Sequence, residues 1–98
     1  MTTWYSKDLG HAADAHSKSI DINKAFLAHV LIHGESSGAA AFSRMDLHTG
    51  NVTVYFTPQA SMLASQFGAT PCEKPLRDKR LGLLAGSRLL DWAKHFPD

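Results

Sequence analysis

The sequence predicts a single α+β domain in which a small antiparallel β-sheet, built on a central hairpin at about residues 41–57, packs with flanking helices. Three observations predict it. The chain has 98 residues, which suits one domain. Hydrophobic residues make up 44% of it and charged residues 19%, as in globular proteins. Two alternating runs flank a turn in the middle of the chain, and helical patterns lie on both sides of them.

The hairpin is the strongest local pattern. Runs Phe42–Leu47 and Val52–Thr57 flank a turn in which Gly50 supplies the positive φ that tight turns need. An even-numbered loop keeps the apolar side chains on one face. It predicts three pairs: Leu47 with Val52, Met45 with Val54, and Ser43 with Phe56. Arg44 and Tyr55 then lie on the opposite face.

An apolar helix is predicted over residues 20–34, with Asp21 as its N-cap and Gly34 after its last turn. A strand over residues 26–33 is the alternative, because a short apolar run alone does not separate the two. A helix with so many large apolar side chains is expected to be buried on most of its circumference, and part of it to meet a partner.

The remaining segments carry weaker patterns. Residues 7–18 predict a weak helix that is too polar for the core, so residues 1–19 are expected to pack loosely. Thr57-Pro58 begins a second helix, and residues 70–75 form a loop with two prolines. Residues 81–86 fit either a helix or a third strand of the sheet, and residues 88–96 predict a helix. The second helix has a stripe on one side, formed by Ala60, Leu63, Ala64 and Phe67.

Composition restricts the function. Ten Lys and Arg against nine Asp and Glu give a net charge of +1, without the positive field of most nucleic-acid-binding proteins. One cysteine permits no internal disulfide. No apolar run approaches the length of a membrane span, and the first ten residues do not resemble a secretory signal. We therefore expect a cytoplasmic protein without a cofactor.

A short motif follows the apolar helix. The segment Gly34-Glu35-Ser36-Ser37-Gly38 fits G-x-S-x-G and, with the next two alanines, resembles the serine motif of carboxylesterases of the α/β-hydrolase fold. The resemblance covers about seven residues and implies Ser36 as a nucleophile. Because that fold is about twice as long as this chain, the preferred interpretation is a Gly/Ser loop between helix and strand.

Two other groups are candidates for chemistry. His29 and His33 share one face of the apolar helix at a spacing that suits a metal ion, with His11, Asp46 or His48 as a third ligand. The preferred interpretation is that His29 is half-buried with its polar edge facing outward and that His33 helps to end the helix.

Cys72 is a candidate nucleophile if cationic neighbours lower the pKa of its thiol, and a buried, inert thiol is the preferred interpretation.

A basic cluster at residues 74–80 is a candidate for weak nucleic-acid binding. Its members are Lys74, Arg77, Lys79 and Arg80. Glu73 and Asp78 interrupt it, and no helix-turn-helix, zinc-finger or RNA-binding signature accompanies it. A solvated surface is the preferred interpretation.

The outer hairpin face is the predicted interface. It carries Phe42, Arg44 and Tyr55, residue types that are enriched where proteins meet, so either a helix or another chain is expected to cover it. The leading hypothesis is a non-enzymatic interaction domain that forms a homodimer or binds an unknown protein. The alternatives are a small enzyme that uses Ser36 or the histidine pair, and a nucleic-acid-binding protein.

Overall fold

The structure, a computed structural model, describes residues 3–34, 38–86 and 89–96. It confirms the α+β class. In chain order the elements are β1 (Trp4–His11), α1 (Ala12–His33), β2 (Ala40–Met45), β3 (Asn51–Phe56), a 3₁₀ turn (Pro58–Ala60) leading into α2 (Ser61–Gln66), β4 (Thr70–Cys72), β5 (Gly82–Gly86) and α3 (Leu89–His95).

The strands described here form one sheet in the order β4-β1-β3-β2-β5, and all neighbours are antiparallel. Strands β1 and β2 are therefore parallel to each other, joined through α1 and separated by β3. This is the split β-α-β connectivity. Strand β5 extends the sheet beyond β2, so β4 and β5 are its edges.

Two apolar clusters form, one on each face of the sheet. On the first face α1 and α2 cover a cluster that includes Phe26, Val54 and Phe56. On the second face α3 covers a cluster that includes Trp4 and Phe42. Both faces of this small sheet are thus buried within the chain, and the buried interior is a layer on each side of it.

The hairpin lies where the sequence predicts it, but its register differs by two residues. The observed pairs are Met45 with Val52, Ser43 with Val54, and Ala41 with Phe56. Asp46 explains the longer loop: its carboxylate accepts the backbone N–H of His48 at 2.8 Å, and its carbonyl accepts that of Gly50 at 2.7 Å. A shift of two residues preserves which side chains share a face, and the face assignments are therefore right, except that Leu47 lies in the turn.

The prediction of a weak helix over residues 7–18 is wrong at its start. Strand β1 lies in the interior of the sheet, between β3 and β4. Its Trp4 and Leu9 are buried in the second and the first cluster respectively. The polar residues between Trp4 and Leu9 conceal the strand from an analysis of hydrophobic periodicity. Lys7 is satisfied by donating to the carbonyl of Phe67, and Asp8 accepts the backbone N–H of Gly10 beside a bulge.

Helix α1 confirms helix over strand for residues 26–33, but it begins at Ala12, so Asp21 is not its N-cap. The backbone N–H of Ala12 donates to the carbonyl of Gly50 at 2.9 Å, which fixes the helix start to the hairpin turn. Gly34 ends it as predicted: at φ +85° its N–H donates to the carbonyl of Val30.

The C-terminal elements settle the open alternatives. Residues 82–86 are a strand, and residues 89–95 are a helix. Residues 70–72, predicted as loop, form β4 against β1.

The side chain of Thr57 does not cap the following helix. Its hydroxyl accepts the N–H of Ala40 and donates to the carbonyl of Gly38. Among the described residues, no helix combines the length and apolarity that crossing a membrane requires.

Candidate interaction surface

One side of α1 builds the first cluster. Ala15, Ile22 and Phe26 are at most 2% exposed and recur at helical spacing along the side that faces the sheet. The Phe26 ring stacks on Phe56 of β3, with centroids 6.1 Å apart. This line of side chains is sufficient to hold α1 on the sheet.

The other side of α1 carries a second apolar line. Ile20, Leu27 and Leu31, which we call the outer stripe, follow one another seven and four residues apart and so share a face. At about 100° per residue the stripe lies roughly opposite the line through Ile22 and Phe26. Its side chains are 43%, 63% and 80% exposed, and the flanking Ile32 is 77% exposed.

This finding corrects the expectation that the helix is buried on most of its circumference. One sheet covers only one side of a helix. Single exposed apolar side chains are common on protein surfaces, but three on one face of a helix form an apolar stripe, and exposed apolar surface of this kind is typical of interaction sites. The sequence does indicate apolar surface such as the outer stripe, because the helix has more large apolar residues than the buried line through Ile22 and Phe26 contains.

The predicted interface on the outer hairpin face is covered by the chain's own α3. Phe42 is fully buried, and Phe96 packs on it edge-to-face at 4.9 Å between ring centroids. Arg44 lies over the Tyr55 ring at 5.6 Å and pairs with Asp78 at 3.2 Å. The chain's own C-terminal segment therefore covers Phe42, while Arg44 and Tyr55 stay partly exposed. Contact of these residues with a partner stays a prediction, and α3 would have to move for Phe42 to take part.

The basic cluster lies on the loop that crosses the second face. Lys74 and Arg77 stack on aromatic rings of the C-terminal segment, at 5.6 Å from the Phe96 centroid and 4.5 Å from that of Trp92. Arg80 approaches Asp78 at 3.5 Å, and Lys79 is exposed. These contacts hold the loop against α3, and nucleic-acid binding by the cluster stays a prediction.

Asp78 is the charge centre of this loop. Its carboxylate accepts the backbone N–H of Arg80, which lowers the pKa of Asp78 most, and the nearby guanidinium groups of Arg44 and Arg80 lower it further. A groove of ≈ 380 Å³ beside it is lined by residues of this loop and by Trp92. Its walls carry both signs of charge, a pattern that does not favour the phosphates of nucleic acid over other ligands.

The two candidate metal ligands do meet. The rings of His29 and His33 lie 4.5 Å apart between centroids. His29 is half-buried, and burial first and the charge of His33 second lower its pKa. In the described part of the chain, no group of three or more His, Cys, Asp or Glu residues comes close enough to hold a metal ion. The third ligand predicted from His11, Asp46 or His48 does not join this pair.

The structure places one of the two candidate nucleophiles. Ser36 lies outside the residues that the structure describes. Cys72 is a free, half-buried thiol on β4, packed against the second cluster opposite Trp4.

Comparisons with known proteins add no relative: no family model, curated protein or solved structure matches the chain.

Proposed function

We propose that this protein is a non-enzymatic, self-associating domain that pairs through the outer stripe of α1. The observation that carries the proposal is the apolar surface that Ile20, Leu27 and Leu31 expose on a helix already anchored by its other side. Exposed apolar surface of this kind is typical of sites where proteins meet.

A second copy of the chain is the occupant that the stripe fits. A two-fold contact brings one patch against itself. When two α1 helices cross antiparallel, Ile20 of one copy faces Leu31 of the other, and the axis passes between Lys24 and Leu27. Lys24 is the one charged residue inside the stripe, and its aliphatic stem can lie on Leu27 while the ammonium group stays in water.

The energetics predict a weak, concentration-dependent dimer. Burying one Leu or Ile side chain contributes roughly 1.5–3 kcal/mol, so six partly exposed side chains contribute on the order of 10 kcal/mol. Association costs about 4–15 kcal/mol in lost freedom of motion. At the lower end of that cost the net free energy is about −6 kcal/mol, which corresponds to a Kd of roughly tens of micromolar. We therefore expect dimers at tens of micromolar and above, and monomers on dilution.

Light scattering after size exclusion tests the proposal. The wild-type protein should approach twice its monomer mass of 10.7 kDa as its concentration rises through the micromolar range. Replacing Leu27 and Leu31 by Glu places charges in the contact, and the double variant should remain a monomer. Circular dichroism should show that it still folds, because neither side chain belongs to a buried cluster.

A matched control is Leu76→Glu, which changes a residue that is 84% exposed on the loop over the second face. It should dimerise like the wild type. A wild-type protein that stays at 10.7 kDa at high micromolar concentration overturns the proposal. So does a dimer that survives the double substitution, which would place the contact elsewhere, for example on the edge strand β5.

A further inference from the structure

We infer that His29 and His33 form a two-histidine binding site for a divalent transition-metal ion at the C-terminal end of α1, with water completing the coordination. Imidazole nitrogen is a preferred ligand for Zn²⁺, Ni²⁺ and Cu²⁺. A spacing of four residues places two imidazoles on one face of a helix.

The ring geometry fits chelation. Zinc lies about 2.0–2.1 Å from each histidine nitrogen. For ligand–metal–ligand angles between about 90° and 110°, this places the two ring centroids about 4.5–5.2 Å apart. The observed separation is 4.5 Å, with the ring planes 38° apart. The separation of the two rings is therefore compatible with one nitrogen of each binding the same ion.

The position in the fold also suits a cation. His33 is the last residue of α1, where the partial negative charge of the helix C-terminus favours positive charge. His29 and His33 lie on the same side of α1 as Ile22 and Phe26, which face the sheet. His33 is nevertheless exposed. The pair thus lies where the helix extends past the buried cluster, and solvent reaches it.

Protonation competes with metal binding at this site. An imidazole must be neutral to ligate a metal ion, and the environment of His29 already favours its neutral form.

This site is independent of the outer stripe. His29 follows Ile20 by nine residues, which places it about 180° away around the helix. A metal ion can therefore bind to the monomer and to the dimer alike. Failure of one proposal leaves the other in place.

Calorimetric titration of the untagged protein with Zn²⁺, and separately with Ni²⁺, tests the inference. We expect one ion per chain and a melting temperature that rises with metal concentration, because an ion that bridges two turns binds the folded helix better than the unfolded chain. Mg²⁺, which prefers oxygen ligands, should give neither effect.

Substitutions locate the site. His29→Ala and His33→Ala should each weaken binding at least tenfold and abolish the rise in melting temperature. The matched control is His16→Ala, an exposed histidine on the same helix with Ala12 and Ile20 four residues away on either side. It should bind like the wild type. Absence of binding to the wild type, or equal loss in all three variants, overturns the inference.

Discussion

The two faces of the sheet are covered in different ways. The first face carries a 22-residue helix, α1. Its sheet-facing side chains, such as Ile22 and Phe26, are buried, and its outer stripe is apolar and exposed. The second face carries the short helix α3 and a loop that is held by cations on aromatic rings and by the ion pair of Arg44 and Asp78. The second cover presents charged groups and the exposed side chain of Leu76 to water, whereas the first carries three exposed apolar side chains on one face of α1. The first is therefore the surface that we propose for a partner.

The largest expected effect separates the two sides of α1. Phe26→Ala removes a fully buried ring that stacks on Phe56, and we expect it to lower the free energy of unfolding by about 3–5 kcal/mol. Leu31→Ala, on the same helix, should change it by less than about 0.5 kcal/mol when the protein is measured as a monomer. Urea unfolding followed by circular dichroism at low protein concentration measures both. Equal losses would mean that the outer stripe is buried in the monomer.

A smaller effect tests the cover of the second face. Arg77→Ala removes a guanidinium that lies 4.5 Å from the Trp92 ring centroid, and we expect a loss of about 0.5–1 kcal/mol, as for other exposed cation–π pairs. Lys79→Ala, in the same loop, is the matched control and should be close to neutral. Tryptophan fluorescence during unfolding reports both. If Lys79→Ala costs as much as Arg77→Ala, stacking on Trp92 does not hold the loop.

Much of the first face could be predicted from the sequence. The alternation in residues 42–57 determines which hairpin side chains share a face, because every even-numbered loop gives the same faces. The prediction for Val54 and Phe56 is therefore correct, although the predicted register is not. The register depends on Asp46, whose turn hydrogen bonds have no signature in hydrophobic alternation. The helix end at Gly34 was predictable because its φ favours glycine.

The N-terminal strand and the site could not be predicted in the same way. Strand β1 holds Ser6, Lys7 and Asp8 in a row, so hydrophobic periodicity does not indicate a strand. Lys7 finds its partner, the carbonyl of Phe67, only in the folded chain. The sequence predicts that part of this helix meets a partner, but it does not identify the outer stripe, because apolarity alone does not say which side of a helix the sheet will cover. That depends on the number of layers, and here only one lies beneath α1.

Cross-linking between copies tests most directly whether the outer stripe is the self-association surface. Lys24→Cys, in a chain whose single native cysteine is changed to serine, places one thiol beside the predicted two-fold axis. A short bifunctional maleimide that spans the roughly 8–10 Å between packed helix axes should join two copies into a covalent dimer. Leu76→Cys, which is also exposed but on the other face, should stay monomeric. Efficient linking through Leu76→Cys but not through Lys24→Cys would contradict the account.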